Sequence, residues 1–142
     1  MKASLLLIII LIFVSLSSCS SNKTGEDRLL YWCSNNSDEI SFAKVRTAEW
    51  NSSNPPIPVK YQPVPEGRSS EEIILAAVVG NTTPDIYSNM WQGDVEAYAE
   101  AGVLVPLDTI PGFMDFIYSR CDTAVIKEIT SIDGHIYQVP GK

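Results

Sequence analysis

The sequence predicts an α/β fold, in which a mainly parallel, doubly wound sheet carries helices on its faces. Short apolar runs of strand length alternate with helical segments three times along the chain. Turn and cap residues separate the runs, and the helices close at glycine or before proline. This alternation is typical of parallel sheets with right-handed connections. The 142 residues suffice for one domain at most.

The N-terminus predicts export. Met1 and Lys2 precede an unbroken apolar run at 5–14. A bilayer span takes ~20 residues, so the run is too short to cross a membrane and suits a secretory signal. The following leucine, two serines and Cys19 resemble the bacterial lipobox. The resemblance implies cleavage before Cys19, lipidation of its thiol, and a lipoprotein signal peptide at 1–18. An ordinary signal peptide with a chance cysteine is the alternative.

Residues 19–28 are predicted to form a flexible, lipid-anchored tether, because they are polar and contain Gly25. Two or more acyl chains hold a protein stably on a membrane. The mature chain is therefore predicted to be exported and anchored to the bacterial cell membrane, facing the periplasm or the outside. The folded domain is predicted to cover residues 29–142.

The chain is acidic, with a formal net charge of −7, and cleavage would also remove Lys2. Such a chain repels nucleic acid, and no basic run offsets the repulsion, so nucleic-acid binding is excluded. One histidine and scattered cysteines provide no zinc spacing, and neither a metal nor a cofactor is expected. Cys33 and Cys121 are interpreted as unpaired, although export permits a disulfide.

The first βαβ unit is predicted from residue 29 onwards. Leu29–Cys33 reads as a strand buried on both faces. Ser37 or Asp38 is predicted to cap the helix that follows. Four residues at helical spacing are predicted to face the sheet: Ile40, Ala43, Thr47 and Trp50. Prolines end this helix, and the alternating residues 57–62 predict a second strand at a sheet edge.

A third strand completes the alternation. Ser69 and Glu72, three residues apart, form a capping box for an apolar helix at 73–79. Pro84 then precedes a strand predicted at 85–88.

The last third of the chain is predicted to contain two more helices and a hairpin. Asp94 can cap a helix that ends at Gly102. A short extended piece follows at 104–108, and Pro111 suits the start of another helix. The dipeptide 133–134, Asp-Gly, predicts a tight turn between extended segments.

Two polar clusters follow the first and third strands. In α/β sheets, ligands bind at the carboxyl ends of strands, so both clusters would face one crevice if these strands are neighbours. The candidate ligand-binding residues are Ser34, Asn35, Asn36, Asn89, Met90, Trp91, Gln92 and Asp94. Amides, a carboxylate and an aromatic ring suit the hydroxyls and apolar faces of a sugar. The alternatives are a core anchor for Trp91, a helix cap for Asp94, and plain turn chemistry for residues 34–37.

Five segments, in this order, resemble the N-terminal part of an extracellular solute-binding protein of an ABC importer, of the sugar-binding type (family 1). They are "LLYWCS", "AEWNSSNPPIPVKYQPVP", "SSEEIILAAVVGNTTPDIYSN", "AYAEAGVLVPLD" and "IDGHIYQVP". The most specific is "TPDIYSN" followed by "AEAGVLVPLD". The lipobox fits as well, since many members of this family are lipid-anchored. The resemblance implies a periplasmic-binding-protein-like (type II) fold, whose two α/β lobes close over a solute.

The resemblance also implies a function and partners. The protein would capture an extracytoplasmic mono- or oligosaccharide and deliver it to the transmembrane subunits of an ABC permease. Family members are several times longer, and "GHIYQVP" is normally where the chain crosses to the second lobe. We therefore expect 29–142 to be an incomplete N-terminal lobe of a fragment that lacks the second lobe. The alternative is a small lipid-anchored structural or partner-interaction lipoprotein.

Catalysis is not expected. The sequence has no Gly-x-Ser-x-Gly, Walker or His-Glu-x-x-His motif, and its single histidine lies beside a turn. Asp85, Asp94 and Asp108 could supply carboxylates for glycoside cleavage, but no spacing singles out a pair. The chain is predicted not to be an enzyme, and a truncated hydrolase is the third possibility.

Overall fold

The computed structural model, which describes residues 27–65, 67 and 69–141, contains a small parallel sheet flanked by helices. The strands are β1 (Leu29–Cys33), β2 (Val59–Pro63) and β3 (Ile86–Tyr87). They lie in the order β2-β1-β3, and both pairings are parallel. The structure is therefore α/β, which confirms the predicted class at this level, and it is compatible with a partial α/β lobe.

Five α-helices occur in the described residues. They are α1 (Ser37–Ser52), α2 (Ser70–Val79), α3 (Gln92–Glu100), α4 (Phe113–Arg120) and α5 (Thr123–Ile129). Helix α1 connects β1 to β2, and α2 connects β2 back past β1 to β3. Because these crossovers run in opposite directions, right-handed connections put α1 and α2 on opposite faces of the sheet.

The strands agree with the predictions in position and differ in detail. Strand β1 has the predicted bounds, but Cys33 alone is fully buried and residues 29–32 are half-buried. Because the sheet has only three strands, the elements on its two faces do not cover the side chains of β1 completely. Strand β2 begins two residues late, at Val59, and lies at the predicted edge. Strand β3 is short, yet its flanking amides continue the ladder: Asp85 N donates to Leu30 O at 3.0 Å.

The cap of α1 is Asn36, so the prediction of Ser37 or Asp38 was wrong. Asn36 has the extended backbone of a cap residue, and its Oδ1 accepts from Glu39 N at 2.8 Å. Asn, Ser and Asp all make good caps, so residue type alone could not choose among neighbours. The cap of α2 is Ser69, as predicted, and its Oγ accepts from Glu72 N at 3.1 Å.

The face of α1 that meets the sheet is shorter than predicted. Ala43 and Thr47 are buried and Ile40 is half-buried, whereas Trp50 is 50% exposed. The Trp50 indole Nε1 donates to Ile57 O at 3.1 Å. The prediction that Trp50 packs on the sheet was therefore wrong. Its indole instead holds the loop that follows the helix.

A small hydrophobic core joins α4, α5 and the C-terminal hairpin. Its buried members are Phe113, Ile117, Ile126, Ile129 and Ile136. Helix α5 was not predicted, and the segment predicted as extended at 104–108 instead leads into a 3-10 helix, Leu107–Thr109. The turn at Asp133 and Gly134 is confirmed by the antiparallel bridge between Thr130 and Ile136. Gly134 has a φ of +89°, which glycine adopts without strain.

None of the helices in the described residues is both long and apolar enough to span a bilayer. The predicted signal peptide at 1–18, the lipidation site Cys19 and most of the predicted tether at 19–28 lie outside the described residues. Export and lipid anchoring therefore stay predictions.

Candidate functional site

The carboxyl ends of β1 and β3 lie side by side, which is the condition for a shared crevice. Ser88 N donates to Trp32 O at 3.0 Å, and Tyr31 Oη donates to Ser88 Oγ at 3.1 Å. The two polar clusters, at 34–36 and 88–92, therefore leave the sheet at the same edge.

In the first cluster, helix capping engages most of the polar groups. Asn36 Nδ2 donates to Ser34 Oγ and to Glu39 Oε1, both at 2.9 Å. Glu39 Oε2 accepts from Ser34 N at 3.2 Å. Turn and capping chemistry thus accounts for Ser34 and Asn36. The half-buried Asn35 makes no side-chain hydrogen bond within the described residues, so its amide is available to a ligand.

The second cluster is tied to the start of α2. Asn89 Nδ2 donates to Ser70 Oγ at 3.1 Å, and Tyr87 Oη donates to Ser70 O at 3.2 Å. Asn89 has a φ of +74°, in the left-handed region that asparagine tolerates. Its Oδ1 is left as an acceptor beside the crevice, and Met90 is half-buried next to it. Sequence reasoning missed Ser70 as part of this site, although it read Ser69 next to it as a cap.

Trp91 is an exposed platform, and the core-anchor interpretation is wrong. The residue is 65% exposed and stands immediately before α3, in the cap position, without capping the helix through its side chain. Its ring lies over Gly93, where an added Cβ would come within 2.5 Å of Trp91 Cζ3. One side of the indole therefore rests on the start of α3, and most of its surface is open.

Gln92 and Asp94 occupy the first turn of α3. Asp94 does not cap the helix, because its own N–H already lies inside the turn and donates to Trp91 O at 3.0 Å. Burial raises the pKa of Tyr98, and the charge of Asp94 raises it further, followed by Tyr87 and Glu71. These groups of α2, β3 and α3 therefore share one electrostatic neighbourhood, and two of them are carboxylates.

Both cysteines in the described residues are free thiols, as interpreted from the sequence. Burial chiefly, and the Glu39 charge less, raise the pKa of Cys33, so this thiol stays protonated and unreactive. No group of three or more His, Cys, Asp or Glu side chains in the described part of the chain could hold a metal ion.

The single histidine belongs to an ion pair that fastens the hairpin. His135 Nδ1 lies 2.8 Å from Asp108 Oδ2, and Ile136 N donates to Asp108 Oδ1 at 3.0 Å. Within the hairpin, Tyr137 Oη donates to Asp133 Oδ2 at 2.6 Å, and this hydrogen bond raises the pKa of Tyr137 to about 12. Sequence reasoning placed His135 beside the turn and did not identify this pair.

Two hollows differ in their relation to the predicted site. The larger, about 460 Å³, lies between α4, α5 and residues 140–141, and none of the predicted ligand residues lines it. The smaller, about 80 Å³, lies between α3 and the hairpin and includes Gln92. Its polar walls are formed by Gln92, Glu96, Glu128, Thr130, Ser131 and Gln138. We therefore associate the smaller hollow with the predicted site, because it alone of the two is lined by a predicted ligand residue.

No protein-family model matches the chain, and no curated protein matches it significantly. Its fold is similar to that of a solved structure, the crystal structure of the uncharacterized protein lmo0859 from Listeria monocytogenes EGD-e, with a TM-score of 0.73. The similarity has 21% sequence identity and covers 80% of this chain and 28% of that chain. The chain thus spans less than a third of the length of this structural relative, and at this identity the similarity extends to the fold alone.

Proposed function

We propose that this chain is part of the substrate-binding component of an ABC-type carbohydrate importer. It would capture a saccharide outside the cytoplasm, with the lipid on Cys19 as its membrane anchor, and deliver it to the transmembrane subunits of a permease. The observation that carries the proposal is Trp91, a 65% exposed indole at the edge where the parallel strands end. A saccharide needs an aromatic surface for its apolar ring face beside polar groups for its hydroxyls.

The polar groups around Trp91 support binding of an uncharged ligand. Asn35 and Gln92 make no side-chain hydrogen bond within the described residues, and Asn89 keeps its Oδ1 free. An amide offers both donors and an acceptor, which matches a hydroxyl. Segments 34–36 and 88–94 contain no basic side chain, while Asp94 is acidic. An anionic ligand would therefore meet repulsion here.

The topology supports a ligand site at this edge. The crossovers leave β1 towards β2 and return past it to β3, so the gap between β1 and β3 is a point where strand order reverses. Ligands of open α/β sheets bind outside the carboxyl ends of strands at such a point. Together with the sequence resemblance, this supports a periplasmic-binding-protein-like (type II) lobe that contacts one side of the solute.

Binding to this lobe alone is expected to be weak. Well-formed ligand pockets bury about 70–90% of a ligand, whereas an open platform contacts one face. We expect a dissociation constant on the order of 1 mM, which corresponds to about 4 kcal/mol of binding free energy.

Saturation-transfer NMR on the full chain tests the proposal. The chain is kept in a detergent without a sugar headgroup and is mixed with a panel of neutral mono- and oligosaccharides and, for comparison, amino acids. At least one saccharide is expected to bind, and Trp91→Ala is expected to lower its affinity about tenfold or more, equivalent to ~1.4 kcal/mol. Trp50→Ala is the matched control, because Trp50 is also half exposed but lies in the last turn of α1.

Two results would contradict the proposal. One is binding of an amino acid but of no saccharide. The other is an equal loss of affinity in the Trp91 and Trp50 variants, which would show a general effect on folding. A folded chain that binds no member of the panel would favour a structural or partner-interaction lipoprotein.

A further inference from the structure

The small notch between α3 and the hairpin has a buried apolar floor and polar walls. Val95 and Ile129 form the floor and are 4% and 5% exposed. On the walls, the Gln92 and Gln138 amides make no side-chain hydrogen bond within the described residues. Glu96 uses Oε1 to accept from Ile132 N at 3.3 Å, which leaves its other oxygen available. The notch therefore offers donors and acceptors that the protein itself does not satisfy.

Exposed apolar side chains stand on both sides of the notch. Trp91 directly precedes Gln92 on the α3 side, and consecutive Cα atoms are only ~3.8 Å apart. On the hairpin side, Ile132 directly follows Ser131 and is 88% exposed. A polar notch between apolar side chains has the pattern of a saccharide surface, on which hydroxyls alternate with C–H faces.

The size and charge of the notch limit what it can hold. At about 80 Å³ it has room for two or three waters, each of which takes ~30 Å³ in the liquid, but not for a complete sugar ring. Glu96 and Glu128 line it, and no lysine, arginine or histidine does. Hydroxyl groups that replace these waters fit both properties, because carboxylates and amide oxygens accept from O–H groups.

We infer that the notch is a second saccharide subsite, which binds hydroxyls of the ring adjacent to the one on Trp91. The inference rests on the proposed function and narrows its substrate class to neutral oligosaccharides of two or more rings. Gln92 and Gln138 donate to and accept from the hydroxyls, and the Glu96 and Glu128 carboxylates accept from them. Ile132 contacts the apolar edge of the same ring.

Saccharide series of increasing length test the inference by NMR titration of the full chain. The probes are the mono-, di- and trisaccharides of β-1,4-glucose, α-1,4-glucose, β-1,4-xylose and β-1,4-mannose, each of which repeats one neutral ring. In a series that binds, the disaccharide is expected to bind about tenfold more tightly than the monosaccharide, or ~1.4 kcal/mol. Gln138→Ala is expected to remove this gain and to leave monosaccharide affinity unchanged.

Two further variants guard against an effect on folding. Gln138→Glu keeps the size of the side chain, adds a third carboxylate to the notch, and is also expected to remove the gain with length. Gln62→Ala is the matched control, because Gln62 is an exposed amide on the edge strand β2, and the gain is expected to persist.

Equal affinities of mono- and disaccharides for the wild-type chain would overturn the subsite and leave the proposed function standing. A Gln138→Ala variant that weakens both equally would overturn the assignment to the notch. Binding of no series would overturn the proposed function and, with it, this inference.

Discussion

At the residue scale, the Trp91 ring can lie against the start of α3 because residue 93, two residues later, is glycine. A Cβ on Gly93 would lie 2.5 Å and 2.6 Å from two atoms of the indole ring. Real contacts of a Cβ are longer, so any other residue at this position forces the ring to move. A glycine in the first turn of a helix, where alanine has the better helix propensity, therefore has a reason in the site.

Gly93→Ala is expected to displace the Trp91 ring and weaken saccharide binding severalfold. Its effect on the free energy of unfolding should be within about 1 kcal/mol, because alanine favours the helix by about that amount relative to glycine. NMR titration and urea unfolding measure the two effects. Gly141→Ala is the control, because an added Cβ there meets nothing within 4 Å. Unchanged affinity in the Gly93 variant would contradict the role given to the ring position.

At the element scale, two neighbouring asparagines at the start of α1 have different roles. Asn36 caps the helix, whereas the Asn35 amide is available to a ligand. Asn36→Ala is expected to lower the free energy of unfolding by about 1–2 kcal/mol, since it removes the cap. Asn35→Ala should change the free energy of unfolding by less than about 0.5 kcal/mol, because the Asn35 side chain makes no hydrogen bond within the described residues.

Saccharide affinity should show the opposite order for this pair. Asn35→Ala removes an available amide and is expected to weaken binding, whereas Asn36→Ala is expected to leave binding nearly unchanged. Urea unfolding and NMR titration of the two variants provide the comparison. Normal saccharide affinity in Asn35→Ala, together with reduced affinity in Asn36→Ala, would contradict the assignment of Asn35 to the ligand and of Asn36 to the helix cap.

The hairpin gives the stability of the protein a pH dependence of defined sign. The hydrogen bond and the charge of Asp108 raise the pKa of His135 above its ordinary 6.5. The folded state therefore holds this proton more tightly than the unfolded state, and the stabilisation is complete below pH 6.5 and lost as pH rises through the raised pKa. The Ile136 N–H, and then His135, lower the pKa of Asp108 below 3.8, so the contribution of Asp108 is lost only in acid.

Urea unfolding at about pH 5.5 and about pH 8.5 tests this sign. The wild-type chain is expected to lose more stability across this range than His135→Gln, in which no imidazole titrates. His135 is the single histidine of the chain, so no other imidazole contributes to the difference. Parallel curves for the two proteins would contradict the role of the ion pair.

At the scale of the whole molecule, the sequence predicted the strands better than the C-terminal core. Alternating apolar runs and turn residues located β1, β2 and β3, and the ladder hydrogen bonds confirm the parallel sheet. Helix α5 was missed because threonine, valine and isoleucine give its short segment a weak helix propensity. The cap bond from Val125 N to Asp122 Oδ1 and the burial of Ile126 and Ile129 stabilise it. These tertiary contacts are not visible as a sequence pattern.

The site was predictable to the same extent. Strand ends located the two clusters, but residue types could not separate the engaged Asn36 from the available Asn35. The notch could not be predicted, because Glu128 and Gln138 reach Gln92 only when the hairpin folds against α3. Glu96 gave no usable signal either, because the helix was predicted to begin after Asp94, whereas α3 begins at Gln92 and so places Gln92 and Glu96 four residues apart on one helix face.

The central claim is that a saccharide binds on Trp91. Indole N–H resonances test it most directly, because the chain has three tryptophans and each gives one signal that a Trp→Phe variant assigns. When a binding saccharide from the panel is added to the full chain, the Trp91 signal is expected to shift and saturate, while the Trp50 signal stays in place. A saturating saccharide that leaves the Trp91 signal unmoved would contradict the account.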